Sequence, residues 1–132
     1  MQTRHEEGLL NGFLEFPGGK IEAEESPKEA AIREFHEEVL AGKEALRIDR
    51  VSAFKNYSYD YPDRSVLLFS HIGQMAQGTL APKGWYKIDF ERPLEQIKDK
   101  VPQANHELII DLSRYFHGLM EDGSWSELWT PL

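Results

Sequence analysis

The stretch GGKIEAEESPKEAAIREFHEEVLA, residues 18–41, constrains the fold more than any other part of the chain. Ahead of it, the short apolar run 12–16, GFLEF, is stopped by Pro17-Gly18-Gly19, which predicts a strand running into a loop. Ser26 and Glu29 have the spacing of a capping box, and Pro27 suits the first helical position, so a helix is expected to start at about Pro27. Ala31, Ile32, Phe35 and Val39 fall on one side of that helix, and Gly42 is its expected stop. The same helix carries Arg33, Glu34, Glu37 and Glu38. A helical residue turns by about 100°, so the three glutamates share an arc of about 100° beside Phe35 and Val39. Like charges at this spacing repel by about 0.2–0.5 kcal/mol per pair. Either a cation or plain solvent has to offset that. Clustered carboxylates are the donor type for Mg²⁺ or Mn²⁺, and a solvated acidic face is the bland alternative.

The remaining pattern sets the frame around this helix. Residues 46–59 and 65–73 read as strands joined by the turn 60-DYPDR-64, and 84–90 reads as another strand. Residues 105–119 form a second amphipathic helix with Leu108, Ile109, Leu112, Phe116 and Leu119 inward, followed by a tail, 121–132, that carries Trp125 and Trp129. Strands and two helices in this mix predict an α+β domain with helices packed on a mixed sheet. The 132 residues make one domain, 1–132, large enough to bury a core without staples. With no cysteine, disulfides and thiolate metal sites are excluded, which fits a reducing, cytoplasmic setting. No apolar run reaches the roughly 20 residues of a membrane span, so no membrane partner is expected. The net charge of −8 disfavours a long nucleic acid as partner, but a small polyanion held through metal ions fits it.

The spacing Gly19, Glu25, Arg33-Glu34, Phe35, Glu37-Glu38 resembles the Nudix box of the Nudix hydrolases, here residues 19–41. Leu40 and Ala41 depart from it, standing where the family has glycine and a larger aliphatic. The resemblance implies the Nudix fold, a mixed β-sheet sandwiched between helices. It also implies Glu37 and Glu38 as metal ligands, Glu34 as a further ligand or the base that orients water, and a backbone carbonyl near Gly19 joining them. Arg33 and Glu25 look like the family's ion pair between loop and helix. Mg²⁺, with Mn²⁺ as the alternative, is the implied cofactor.

Three further segments are similar to the MutT-like subfamily, which hydrolyses oxidised purine nucleoside triphosphates such as 8-oxo-dGTP to the monophosphate and pyrophosphate. They are 14-LEFPGGKIE-22, 59-YDYPDR-64 and 102-PQAN-105, and Arg4 aligns with an arginine ending the strand before the box. The implied partner is a small-molecule nucleotide, with Arg4, Phe16, Tyr61, Asp63 and Asn105 as substrate contacts. Each has a plainer reading: Asn105 as a helix N-cap, Asp63 as a turn former, Tyr61 and Phe16 as core or rim aromatics, Arg4 as a solvated residue. His36 and His106 are expected at the surface. Two features depart from the subfamily: its first strand has no counterpart ahead of Arg4, and Gly84 replaces a glutamate. The expected sheet is then completed by a homodimer partner or by sequence upstream of Met1. Other Nudix activities (on a pyrimidine triphosphate, a nucleotide sugar or an RNA 5′ end) and a catalytically weak nucleotide-binding module are the alternatives.

Overall fold

The computed structural model describes residues 1–3, 14–40, 48–75, 95 and 97–122. The expected strand 84–90, Arg4, Gly42, Gly84, Trp125 and Trp129 lie outside the described residues. Strand β1 (Gln2–Thr3) pairs antiparallel with β2 (Leu14–Glu15), Gln2 opposite Glu15. Helix α1 (Pro27–Phe35) follows the glycine loop and starts where the capping box predicts. A long hairpin comes next, β3 (Ile48–Asp60) against β4 (Ser65–Met75), and helix α2 (His106–Asp122) closes the described chain. The class is α+β, as expected, and every strand pair among the described residues is antiparallel.

The hairpin supplies the surface on which α2 and the turn ahead of it are held. Its own turn is closed by Tyr61 N–H to Arg64 O (2.7 Å) and Arg64 N–H to Tyr61 O (3.3 Å), with Ser65 Oγ donating to Asp60 Oδ1 (2.6 Å). Farther down, Ala53 faces His71 but Asn56 faces Phe69, so β3 holds one extra residue. The Ser70 hydroxyl fills this bulge, donating to Lys55 O (2.6 Å) and accepting from Lys55 N–H (3.2 Å). Successive strand residues normally point to opposite faces; a bulge breaks that alternation. Phe54 and Lys55, neighbours in sequence, accordingly both reach α2: the Phe54 ring meets Tyr115 at 5.3 Å and Lys55 Nζ meets Asp111 Oδ2 at 2.9 Å.

A small core joins α2 to the first strand pair. Met1, Ile97, Val101 and Ile109 form its buried cluster, with Leu14 and Phe16 packed against it. Ile109 is wholly inaccessible and Val101 nearly so; burying side chains of this size contributes about 1.5–3 kcal/mol each. Leu108 is buried as expected, and Leu112 and Phe116 are half-buried. In α1 the buried residue is Ala30, with Ala31, Ile32 and Phe35 only half-buried. His106, expected at the surface, is half-buried instead. Its Nε2 lies 3.0 Å from both Lys98 O and Val101 O, so one ring N–H can serve both carbonyls. The ring thereby fixes the 98–101 turn, which leads into the 3₁₀ turn Gln103–Asn105, to the start of α2.

Candidate active site

The site is built on the junction of the glycine loop with α1. Ser26 N–H donates to Glu29 Oε2 (2.7 Å) and Glu29 N–H to Ser26 Oγ (3.2 Å), so both ends of the capping box are made. Ahead of it the loop doubles back. Glu24 adopts a left-handed backbone (φ 65°), and Glu22 N–H donates to Glu25 Oε1 (2.7 Å). This turn aims the Glu25 carboxylate at Arg33. The guanidinium grips it with two bonds, Nη2 to Oε1 at 2.7 Å and Nε to Oε2 at 3.1 Å, and gives a third to Lys20 O (3.0 Å). The bond from Arg33, followed by that from the Glu22 backbone, holds the Glu25 carboxyl below its ordinary range. Arg33 in turn is held protonated more firmly than a free guanidinium.

Arg33 does not stop at the pair that the sequence predicts. Its Nη1 also donates to Glu34 Oε1 (2.7 Å) and lies 3.5 Å from Glu37 Oε2. One cation therefore serves three carboxylates. The Glu34 carboxylate lies on Gly19: a Cβ built at Gly19 would stand 2.2 Å from Glu34 Oε1. Any side chain at Gly19 would displace the Glu34 carboxylate. Gly18 faces no such crowding; its N–H donates to Glu38 Oε2 (3.2 Å).

The helix also changes pitch under the glutamates. Residues His36–Leu40 continue α1 as a π-helical turn. A π turn is wider and turns less per residue, so the 100° step predicted from Glu34 to Glu37 and Glu38 does not hold there. Glu34 is 14% exposed and reaches the loop, whereas Glu37 is 60% exposed beside Arg33. The carboxylate oxygens are the donor type for a hard divalent cation, and Glu34 and Glu38 both reach the Gly18-Gly19 turn, so the residues fit such an ion. As they lie, no three Asp, Glu or His side chains among the described residues converge on one point. The bonds to Arg33 and to the Gly18 N–H use one oxygen each of Glu34 and Glu38.

The predicted base-contact residues divide. Tyr61 stands at the hairpin tip, its ring meeting Tyr59 edge-on at 4.7 Å with the Arg64 guanidinium 5.6 Å over its face. Asp63 is exposed and lies 3.8 Å from Arg64, which agrees with a turn role. Asn105 ends the 3₁₀ turn that begins at Gln103, and its N–H donates to Pro102 O (2.9 Å). The Tyr59 hydroxyl donates to Gln103 Oε1, so the structure brings the hairpin tip and the 102–105 turn together. Phe16 packs against the core cluster, which favours its core reading.

Sequence reasoning missed a third cluster. Asp111 of α2 accepts from Lys55 Nζ (2.9 Å) and from the buried Tyr57 hydroxyl (3.0 Å), with Arg114 at 3.8 Å. The bond from Lys55 holds the Asp111 carboxyl low, while burial, then Asp111, pushes the Tyr57 phenol up. An acid three residues after the inward Leu108 was the available signal, since that spacing shares a helix face.

Comparison with known proteins gives one family and several relatives. The NUDIX domain family matches residues 1–112. The 8-oxo-dGTP diphosphatase of Escherichia coli (strain K12) is 33% identical over 101 residues, covering 76% of this chain and 74% of that protein. The 8-oxo-dGTP diphosphatase of Proteus vulgaris is 36% identical over 59 residues, covering 45% of this chain and 48% of that one. The 8-oxo-dGTP diphosphatase of Haemophilus influenzae is also 36% identical over 59 residues, here 40% of its length.

Proposed function

Because this chain belongs to the NUDIX domain family, we propose that it hydrolyses oxidised purine nucleoside triphosphates to the monophosphate and pyrophosphate with the aid of a divalent cation, Mg²⁺ or Mn²⁺. One observation carries the reading. The loop and α1 meet at a single polar focus, where Glu34 lies on Gly19, Glu38 takes the Gly18 N–H and Arg33 ties Glu25 to the helix. The names of the three relatives supply the substrate class.

In this reading Glu34, Glu37 and Glu38 hold the cation, with a backbone carbonyl near Gly19. When bound there, such a cation would neutralise phosphate charge and lower the pKa of a water so that hydroxide is available as the nucleophile. Glu34 also suits the role of proton acceptor: it is mostly shielded and at the loop where phosphate approaches. The water oxygen would bond to one of the two phosphorus atoms flanking the α–β bridge, the bond from that phosphorus to the bridging oxygen would break, and the bridging oxygen would leave with the electron pair on the other product. Arg33 and Glu25 keep the loop seated on the helix, and the absent side chain at Gly19 leaves room for the Glu34 carboxylate against the loop. Asn105 offers both a donor and an acceptor to a purine edge, and Tyr61 at the hairpin tip suits a place beside the base. Among the described residues no helix is long and apolar enough to cross a membrane; a small-nucleotide hydrolase belongs in the cytoplasm, where we place it.

A nucleotide-binding module of weak turnover is the second reading. The lack of three converged carboxylates among the described residues favours it. A panel of nucleotides with Mg²⁺, following products and kcat/KM, separates the two. Monophosphate and pyrophosphate from an oxidised purine triphosphate are expected; binding without cleavage of any nucleotide would establish the module. Asn105→Ala is expected to reduce discrimination between 8-oxo-dGTP and dGTP more than it slows both. Equal losses would make Asn105 a backbone-positioning residue.

A further inference from the structure

We propose that Tyr59 and Gln103 are a positioning pair that sets base selectivity by holding the 102–105 turn against the β3–β4 hairpin. The proposal rests on the purine reading above. The Tyr59 hydroxyl donates to Gln103 Oε1 across 44 residues of sequence. Gln103 opens the 3₁₀ turn that delivers Asn105, and Pro102 and Ala104 on either side of it are buried. At its other end the link continues through the edge-on Tyr59–Tyr61 contact to Arg64 over the Tyr61 face. A chain of direct contacts, Gln103–Tyr59–Tyr61–Arg64, thus spans the gap between the two segments expected to face the base.

The exposure of the pair argues for positioning over stability. Gln103 is exposed and Tyr59 only half-buried. Fixing a long exposed glutamine costs side-chain entropy and gains little burial. What the bond does is fix the distance between Asn105 and the Tyr61 ring. A base read from its edge by one and flanked by the other is discriminated only if that distance is held, because small misplacements weaken directional contacts strongly.

The test is a double-mutant cycle with Tyr59→Phe and Gln103→Met, which removes donor and acceptor in turn. Each single variant should lower the ratio of kcat/KM for 8-oxo-dGTP over dGTP by about fivefold. The loss should appear in KM, with kcat nearly unchanged. The double variant should lose no more than either single one. Gln103→Glu should restore the ratio, since a carboxylate accepts the same hydroxyl proton. Hydrogen exchange at the Asn105 amide should quicken about tenfold in Tyr59→Phe. An unchanged ratio in both single variants overturns the proposal, as do losses that multiply in the double variant. Faster exchange with an unchanged ratio leaves a structural link only, and also overturns it. If the wild type cleaves no purine triphosphate, the purine reading falls by itself. The pair is then judged by exchange and by the same ratio, in kcat/KM or Kd, between two bases of whichever nucleotide the protein takes.

Discussion

Two polar clusters, one on each helix, use the same chemistry to opposite ends. On α1, a single guanidinium contacts Glu25, Glu34 and Glu37. On α2, a single carboxylate, Asp111, is met by Lys55, Arg114 and the Tyr57 hydroxyl. The first cluster has more anion than its cation can satisfy, and it lies at an open loop. The second has more donors than its acceptor needs, and it locks α2 onto β3. A surplus of like charge at helical spacing is unfavourable by itself; in the proposed function a divalent cation offsets it. A locally satisfied carboxylate signals a fastening. Charge balance within a cluster separates the two uses better than the number of ion pairs does.

The sharpest way to break this contrast is to neutralise one carboxylate in each cluster. Glu38→Gln should lower Mg²⁺-dependent kcat/KM by about 10²–10⁴-fold, because an amide is a poor ligand for a hard cation. Its melting temperature without metal should hold or rise. A variant that melts lower without metal and turns over normally would put α1 in the same class as α2. Asp111→Ala should do the reverse, costing about 2 kcal/mol in denaturant unfolding while kcat/KM stays within twofold. A large loss of activity with unchanged stability would move Asp111 into the site.

Gly19→Ala sharpens the comparison from the loop side. The new methyl would fall on the Glu34 carboxylate, the movable end of a side chain, so the fold yields there at little cost. Stability should change by less than about 1 kcal/mol, whereas kcat/KM should fall about tenfold as Glu34 is displaced. Unchanged activity would separate Glu34 from the chemistry.

The smallest expected effects lie in the pH dependence of stability. Glu25 and Asp111 both have depressed pKa values. Their contributions are present above the unfolded carboxylate pKa, about 4, and are lost as pH falls through the lower folded values. Tyr57 is raised, so its contribution is complete below the unfolded phenol pKa, about 10, and is lost as pH rises above that. Glu25→Gln should flatten part of the acid limb of a melting-temperature profile and leave the alkaline limb alone. Tyr57→Phe should flatten the alkaline limb. An alkaline limb that persists in Tyr57→Phe would assign it to another group.

By itself the sequence determined the features that depend on near neighbours. The capping box Ser26–Glu29 starts α1 at Pro27, because its hydrogen bonds join residues three apart. The DYPDR turn and the β-rich runs beside it mark β3 and β4 to within two residues at each end, because turn and strand preferences are local. The spacing from Gly19 to Glu38 was enough to indicate the family, and the resemblance implied the Arg33–Glu25 pair that the structure contains. Tertiary structure decided what depends on distant partners. That a side chain at Gly19 would displace Glu34, and that a π turn which helical periodicity does not anticipate carries Glu37 and Glu38, are tertiary facts. The Ser70-filled bulge turns Lys55 toward Asp111, 56 residues away, and so makes a fastening of an acid that the sequence shows only as a polar residue on a helix. Tyr59 and Gln103, 44 residues apart, meet only once the hairpin and α2 are packed. Such contacts have no local pattern, since what selects them is the geometry of the folded chain.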